Sequence, residues 1–394
     1  MRHLLKMIWN RKHRYSWIFT EQVLVTVILM LLAVSVLEAY KKYKTPGMLD
    51  VEHTFVVRCS IGKDATREER NNSMQSINIV LENLKKLPYV KTVSSAYNLA
   101  PYQRADELYA GQYTVDSIKI DDKRFLTIIK WSDEFGASVL SIKMEEGKWF
   151  ENREKTLPDG SYPVVITRQF ADKAGWMTAV GKKFTRGNRF YTVIGVATGL
   201  KQEPFKPSPV AIVMPLYSMS GMPYENLVKI DPGMEREFTE SFYKEFRRVI
   251  PYENVEASIF YLPSSKKMWV SQSILPIVLQ GIPTLFLFIF AFIGTFGLYW
   301  MISQKRMKEF ALRIALGSTK KRLMNIVIGE SLLVTCIAVL PALLLSFFIY
   351  EYTAVHVVAV SATLFIMLLF AVVSAWYPAW TVSRVNPAEA LQYE

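Results

Sequence analysis

Two cysteines and four histidines in 394 residues leave little material for metal or redox chemistry. The histidines, His3, His13, His53 and His356, are scattered along the chain, and neither Cys-x-x-Cys nor His-Glu-x-x-His occurs, so a metal site has no donor set. Cys59 lies in a polar stretch and Cys336 in an apolar run, which keeps them from pairing. There is no Gly-x-x-x-x-Gly-Lys-Ser/Thr to cradle phosphates and no Gly-x-Ser-x-Gly nucleophile turn. No acid, base and nucleophile stand out together. The sequence therefore predicts no enzyme, and no cofactor or metal held by this chain.

What the chain has in excess is segregated apolar length. Its hydrophobic fraction is 51% although 21% of residues are charged. Four apolar runs, at about 18–40, 274–302, 323–350 and 354–380, each exceed the roughly 20 residues that cross a bilayer as a helix. The net charge of +12 follows the same layout. Residues 2–17 carry Arg2, Lys6, Arg11, Lys12 and Arg14 and no acid, and 303–322 carries seven Lys or Arg against Glu309 alone. Basic flanks mark the cytosolic side, so both segments read as inside, as does the C-terminus. Lys41, Lys42 and Lys44 run against this rule but are outweighed. The basicity tracks membrane topology, and no recognition motif accompanies it, which argues against nucleic acid. The first run begins like a signal peptide. Leu37-Glu38-Ala39 is a poor cleavage site, however, and the 1–17 lead-in holds an amphipathic set, Leu4, Leu5, Ile8 and Trp9; a retained anchor is expected.

Between the first two runs, residues 45–268 are long enough for a folded outer domain. A strand at 51–59, a helix at 72–87 and a strand at 89–96 recur as strand 226–230, helix 234–249 and strand 255–262. Two β-α-β units flanking an insertion predict a split ferredoxin-like α+β body. The insertion, about 125–215, reads as a small β-rich lobe with strands at 164–167, 190–196 and 210–214 and a short helix at 168–177. The second apolar run is longer than the bilayer needs, so 18–44 and 269–302 are each expected to combine a span with an outer stalk, with a tilted, wholly embedded helix as the alternative, and Pro276 or Pro283 can kink 269–302.

The short basic loop 303–322 holds the most specific pattern. Met307, Phe310, Ala311 and Ile314 fall at i, i+3, i+4 and i+7, an apolar helical face, with Lys308, Glu309 and Arg313 on the remainder. Gly317 can end this helix, and Ser318 or Thr319 can cap the next. In the 381–394 tail, Asn386-Pro387-Ala388-Glu389-Ala390-Leu391 reads as an N-cap, a proline at the first helical position and a capping box. Glu38 and Glu330 are ionisable groups inside apolar runs and call for polar neighbours; Glu330 lines a path or bonds another helix. Ala291, Gly294 and Gly297 make a small-residue strip fit for close helix approach, within the chain or to a second copy.

One span, a large outer domain and three further spans resemble the MacB/FtsX-like permeases of ABC transporters. The run Arg306-Met307-Lys308-Glu309-Phe310-Ala311-Leu312-Arg313-Ile314-Ala315-Leu316-Gly317-Ser318 is similar to that family's coupling region, and 386–391 to its usual ending, with Gln392 where Arg is common. The resemblance covers essentially the whole chain and implies a multi-pass inner-membrane protein with a periplasmic MacB-like domain and cytosolic termini. It further implies a dimer of permease chains, homo- or heterodimeric, that transmits ATP-driven motion outward for export or efflux. MacB itself carries an ATPase ahead of its first span; this sequence holds no phosphate-cradling loop, so the expectation is that ATP and Mg sit on a separate cytosolic ATPase. The expected ATPase-coupling residues are Arg306, Met307, Glu309, Phe310, Arg313, Ile314, Leu316 and Gly317, supported by the cytosolic helix at Asn386, Pro387, Glu389 and Leu391. A periplasmic adaptor and an outer-membrane duct are further candidate partners. The alternative is a non-transporting membrane protein that regulates a periplasmic partner or a sensor kinase.

Overall fold

Helix α1 (Lys12–Lys44) is apolar through its middle and long for a membrane helix: 33 residues rise roughly 50 Å. A computed structural model describes the chain at residues 12–62, 66–103, 114–151, 156–219, 225–250, 255–351 and 353–384. It divides into two units, Met1–Lys41 with Ile274–Glu394, and Lys42–Ser273.

In the second unit, β1 (Thr54–Ile61), α2 (Arg67–Lys85), β2 (Val90–Tyr97), β10 (Glu225–Ile230), α5 (Glu235–Val249) and β11 (Val255–Tyr261) build the body. Its strand order, β11-β1-β10-β2, is antiparallel throughout, the split ferredoxin-like arrangement. Helix α2 starts at a capping box: Thr66 Oγ1 accepts from Glu69 N, and Glu69 Oε2 accepts from Thr66 N at 2.7 Å. Ile77, Val80, Leu81 and Leu84 of α2 and Phe238 and Phe242 of α5 bury against Phe55, Val57, Val93 and Val228 on one face of the sheet.

Between β2 and β10 come β3 (Thr114–Ile120), β4 (Lys123–Ser132), the helix α3 (Gly136–Leu140), β5 (Met144–Gly147), β6 (Tyr162–Thr167), α4 (Arg168–Ala174), β7 (Lys183–Arg186), β8 (Arg189–Ala197) and β9 (Ala211–Pro215). They do not form a separate sheet. Among the described residues one eleven-stranded sheet continues from β2 through β4-β9-β6-β8-β5, with β3 on β4 and β7 on β8. The join is narrow: β2 meets β4 at Ala96–Ser132 and Tyr97–Trp131. Asp133 extends it, its carboxylate accepting from Ser94 Oγ at 2.6 Å and Ser95 N at 2.7 Å while its own N–H donates to Ser95 O. Burial raises the Asp133 pKa, and these hydrogen bonds work against the rise. Beside the join opens a cleft of about 700 Å³ lined by Asp133, Phe135, Trp149, Phe150 and Tyr217 among others.

Two features of the inserted lobe escaped the sequence pattern. The β3–β4 hairpin turns at Asp121-Asp122, with Asp121 at φ 51°, instead of at an Asn-Gly or Asp-Gly pair. Helix α3 is too short to show a period, and Gly136 sits close against Ser132 and Leu99, whose side chains would have to shift for an added Cβ.

A polar node lies under the join. Lys130 and Glu225 are buried; Lys130 Nζ donates to Asn98 O, and Glu225 accepts from Leu99 N, Ala100 N and Gln103 Nε2. Arg58 in turn donates to Gln103. Burial pushes the Lys130 pKa from 10.5 down to about 7, with the Glu225 charge opposing that shift.

The remaining helices are α6 (Leu262–Lys305), α7 (Met307–Ala315), α8 (Lys320–Ile349) and α9 (Ala354–Ser383). α1, α6, α8 and α9 are long and apolar enough to cross a membrane. α6 runs unbroken for 44 residues, roughly 66 Å, with Pro276 and Pro283 inside it. In the first unit the four long helices pack in layers. Ile18, Tyr299, Ile302, Val334 and Ala375 form one, and Val25, Ala291, Val339, Met367 and Phe370 another. Between them in sequence lies buried Gln22, whose Oε1 accepts from Thr335 Oγ1 at 3.0 Å. Leu279, Phe286, Phe290, Phe347, Phe348 and Phe365 are exposed, as lipid-facing side chains are.

The Lys130 node carries a pH signature. The unfolded chain holds that proton up to about pH 10.5 and the fold releases it near pH 7, so the cost of burial is complete below about 7 and fades as pH rises. Thermal unfolding should show the wild type gaining stability relative to Lys130→Met between pH 7 and 9.5. Parallel pH curves for the two proteins would mean that the fold does not strain this ammonium.

Candidate functional site

The segment 303–322 forms a break, a short helix and a second break. α6 ends at Lys305, and Arg306 N–H donates to Ile302 O and Ser303 O while its own carbonyl accepts from Phe310 N, starting α7. At the other end, Gly317 N donates to Ile314 O and Ser318 N to Arg313 O, the paired bonds of a Schellman motif, with Gly317 at φ +92°. A side chain there would be strained, which is the reason for glycine. Thr319, not Ser318, caps α8: its Oγ1 accepts from Arg322 N.

The apolar face of α7 turns inward. Phe310 and Ala311 are fully buried, and Phe310, with Ile314 beside it, packs on Leu323 and Val327 of α8 and Ala379 and Val382 of α9. Phe310, expected among the partner contacts, has its ring packed against its own bundle, where it holds the helix in place. Met307 is half-buried. The face left open is Lys308, Leu312, Ala315 and Leu316, at i, i+4, i+7 and i+8, with Leu312 52% and Leu316 80% exposed.

The charges are organised around Arg306. Its side chain is 4% exposed and Glu330 on α8 is 1% exposed; Arg306 Nη1 donates to both Glu330 oxygens, at 2.8 and 2.9 Å. Arg306 Nε donates to Glu309 Oε2 at 3.1 Å, Arg313 Nη2 donates to Glu309 Oε1 at 2.6 Å, and the Arg306 guanidinium lies 4.9 Å from the Phe310 ring centre. One chain of opposite charges thus links α7 to α8. Arg306 is a buried tie in this arrangement, and Glu309 and Arg313 serve the same lattice while keeping about a third of their surface open. Glu330 bonds another segment, one of the two roles its position suggested.

Glu38 on α1 lies 3.4 Å from His356 Nε2 of α9, within ion-pair range. His356 Nδ1 in turn meets Thr353 Oγ1 at 2.8 Å. Sequence reasoning overlooked Glu21. Its carboxylate lies against Gly294, where an added Cβ would be 3.0 Å from Glu21 Oε1, so the glycine strip makes room for a polar side chain within the chain. The available signal was an acidic residue near the start of the first apolar run. Asn386, Pro387, Glu389 and Leu391 lie outside the described residues. Among the described residues no group of His, Cys, Asp and Glu could hold a metal ion.

Two family models match the chain: the MacB-like periplasmic core domain over residues 23–255 and the FtsX-like permease C-terminal region over 281–387. No curated protein sequence matches it. Several solved structures overlap it. The periplasmic region of MacB from Actinobacillus actinomycetemcomitans is 13% identical, with 55% of this chain and 92% of that one covered and a TM-score of 0.37. A domain of a putative permease from Porphyromonas gingivalis is 14% identical, covering 53% and 90%, with a TM-score of 0.35. The extracellular domain of the noncanonic ABC-type transporter YknZ from Gram-positive bacteria is 14% identical, covering 52% and 99%, also at 0.35. Family membership comes from the two family models, not from these overlaps.

Removing one member of the buried pair should cost far more than removing both. Glu330→Leu leaves the Arg306 guanidinium buried without its main counter-charge, a loss of about 3–5 kcal/mol, whereas Arg306→Met with Glu330→Leu should recover most of it. Melting curves of the detergent-solubilised variants check this; a single variant as stable as wild type would show the pair to be incidental.

Proposed function

Because the chain belongs to the MacB/FtsX-like ABC transporter permease family, we propose that it is the membrane subunit of an ABC complex driven by a separate cytosolic ATPase. Two permease chains pair, each docks an ATPase through α7, and nucleotide-driven motion passes along the long helices to the outer domain. The direction of work is export or efflux from the outer face of the inner membrane, with both chain termini in the cytosol. An adaptor and an outer-membrane duct are compatible additions. ATP and Mg belong to the partner.

The observation that carries this reading is the division of labour on α7. Its buried face and the Arg306–Glu330 pair fix it to the bundle, while Lys308, Leu312, Ala315 and Leu316 stand open on the opposite side. Exposed leucines on a short, well-anchored helix suit insertion into a partner's groove, the usual helix-in-groove mode. Lys308 adds a charge at the rim of the same face. Glu309 and Arg313 act at its edge by holding the helix in shape.

The test is co-purification with the ATPase expressed alongside it. Leu312→Asp with Leu316→Asp should reduce recovered ATPase about tenfold or more, as loss of a central apolar anchor does, while the permease melts as wild type does. Glu309→Ala with Arg313→Ala should weaken recovery less. Wild-type recovery from the double aspartate variant would remove α7 as the docking element.

A further inference from the structure

The outer unit is joined to its two flanking helices in different ways. α6 follows β11 directly: Tyr261 ends the strand, and Leu262, 1% exposed, begins the helix inside a core that also holds Leu49, Val51, Val56 and Leu227. α1 stops at Lys44, and residues 45–53 intervene before β1. The end of α1 is nevertheless held by more than that connection.

Lys201 has no exposed surface, and its ammonium lies at the last turn of α1. Nζ donates to Lys42 O at 2.7 Å, Tyr43 O at 3.3 Å and Pro204 O at 3.4 Å. A helix leaves its final carbonyls without intrahelical partners and carries partial negative charge there, so a buried cation is stabilised by both. Lys201 N also donates to Gly47 O at 2.9 Å, and Leu200 N donates to Ser208 Oγ at 2.6 Å. The Tyr43 and Phe205 rings lie 5.3 Å apart. Gly47 and Gly199 touch backbone to backbone: a Cβ on Gly199 would sit 3.1 Å from Gly47 Cα, and Gly47 holds φ +103°. Both glycines serve the close approach.

We propose that Lys201 is a positioning residue that makes the last turn of α1 and the 199–208 loop one rigid piece, so that displacement of α1 relative to α6 reaches the inserted lobe and alters the cleft at the β2–β4 join. The inference rests on the motion-transmitting function proposed above. Its geometry lies wholly in the outer unit. The 199–208 loop connects β8 to β9 in the middle of the inserted lobe, whereas α6 grows from β11, the far edge strand of the ferredoxin-like body. α1 is thus tied to the lobe side of the narrow Ala96–Ser132 and Tyr97–Trp131 pairing as well as, through 45–53, to β1, whereas α6 continues from the body side. The cleft bounded by Asp133, Trp149 and Tyr217 opens beside it.

The experiment uses the full chain with its ATPase in lipid nanodiscs. Spin labels go on Met177→Cys in the lobe, 95% exposed, and Arg247→Cys on α5 of the body, with Cys336→Ser removing the other exposed thiol. Label distances are compared with and without ATP. Wild type should show a nucleotide-dependent change, Lys201→Arg should keep it, and Lys201→Met should lose most of it. The methionine variant should also exchange the amide hydrogens of Thr45, Gly47, Leu200 and Lys201 about tenfold faster, with β1 and β10 unaffected. If Lys201→Met does not fold, Tyr43→Ala with Phe205→Ala, which removes the ring contact between the helix end and the loop, must reduce the change instead. A full wild-type change in Lys201→Met overturns the clasp and leaves the transmission function standing. No change in wild type overturns the transmission function and the role given to Lys201 with it.

Discussion

A carboxylate inside an apolar helix must find a partner, and much of the α7 region follows from where Glu330 finds its own. The counter-charge is Arg306, at the residue where α6 stops and α7 starts. Two hydrogen bonds from Arg306 Nη1 to the Glu330 carboxylate, between groups 4% and 1% exposed, hold that break in position. Arg306 then orders Glu309, Glu309 orders Arg313, and the Phe310 ring closes under the guanidinium. Such a pair adds little net stability over apolar residues, since desolvating both charges offsets their attraction. What the pair sets is the position of the break, since Glu330 finds its counter-charge at the residue where α6 gives way to α7.

The outer domain solves a different problem. Its sheet runs unbroken from the ferredoxin-like body into the insertion, yet it narrows at the junction to two paired positions reinforced by Asp133. Three apolar clusters lie along this sheet, one under α2 and α5, one on the opposite face toward α3 and Leu262, and one within the inserted lobe. The polar node of Lys130, Glu225, Gln103 and Arg58 sits between them. Glu225, Gln103 and Arg58 of this node are joined by hydrogen bonds among buried groups, which favours a single arrangement where body and lobe meet.

Periodicity and topology were legible because they repeat. The apolar runs, the two β-α-β units and the Gly317 stop each rest on several residues pointing the same way, and each is found. Hidden from the sequence were features set by partners distant along the chain. Arg306 and Glu330 are 24 positions apart, and Lys201 reaches carbonyls about 160 residues earlier. No spacing rule joins such pairs. Glu21 was missed for the opposite reason: one acid in an apolar run carries no period. The inward turn of Phe310 shows a further limit. An amphipathic pattern tells which face is apolar, not whether its own chain or another covers that face.

That last ambiguity bears on how α7 can work. A free amphipathic helix of nine residues is marginal in water, because nucleation costs more than so short a run returns. Held by Phe310 and Ala311, capped by a Schellman turn and tied through Arg306, it keeps its shape without a partner. A protein binding its open face would meet Leu312 and Leu316 already in place and would not bear the entropy of ordering them. The same anchoring makes the contact stiff. A push on α7 would pass into α8 through Glu330 and into α9 through Ala379 and Val382 instead of being absorbed by a flexible loop. In the docking role proposed for α7, rigid attachment on one face and exposed leucines on the other are two halves of a single requirement, that a binding event at the surface be felt by the helices behind it.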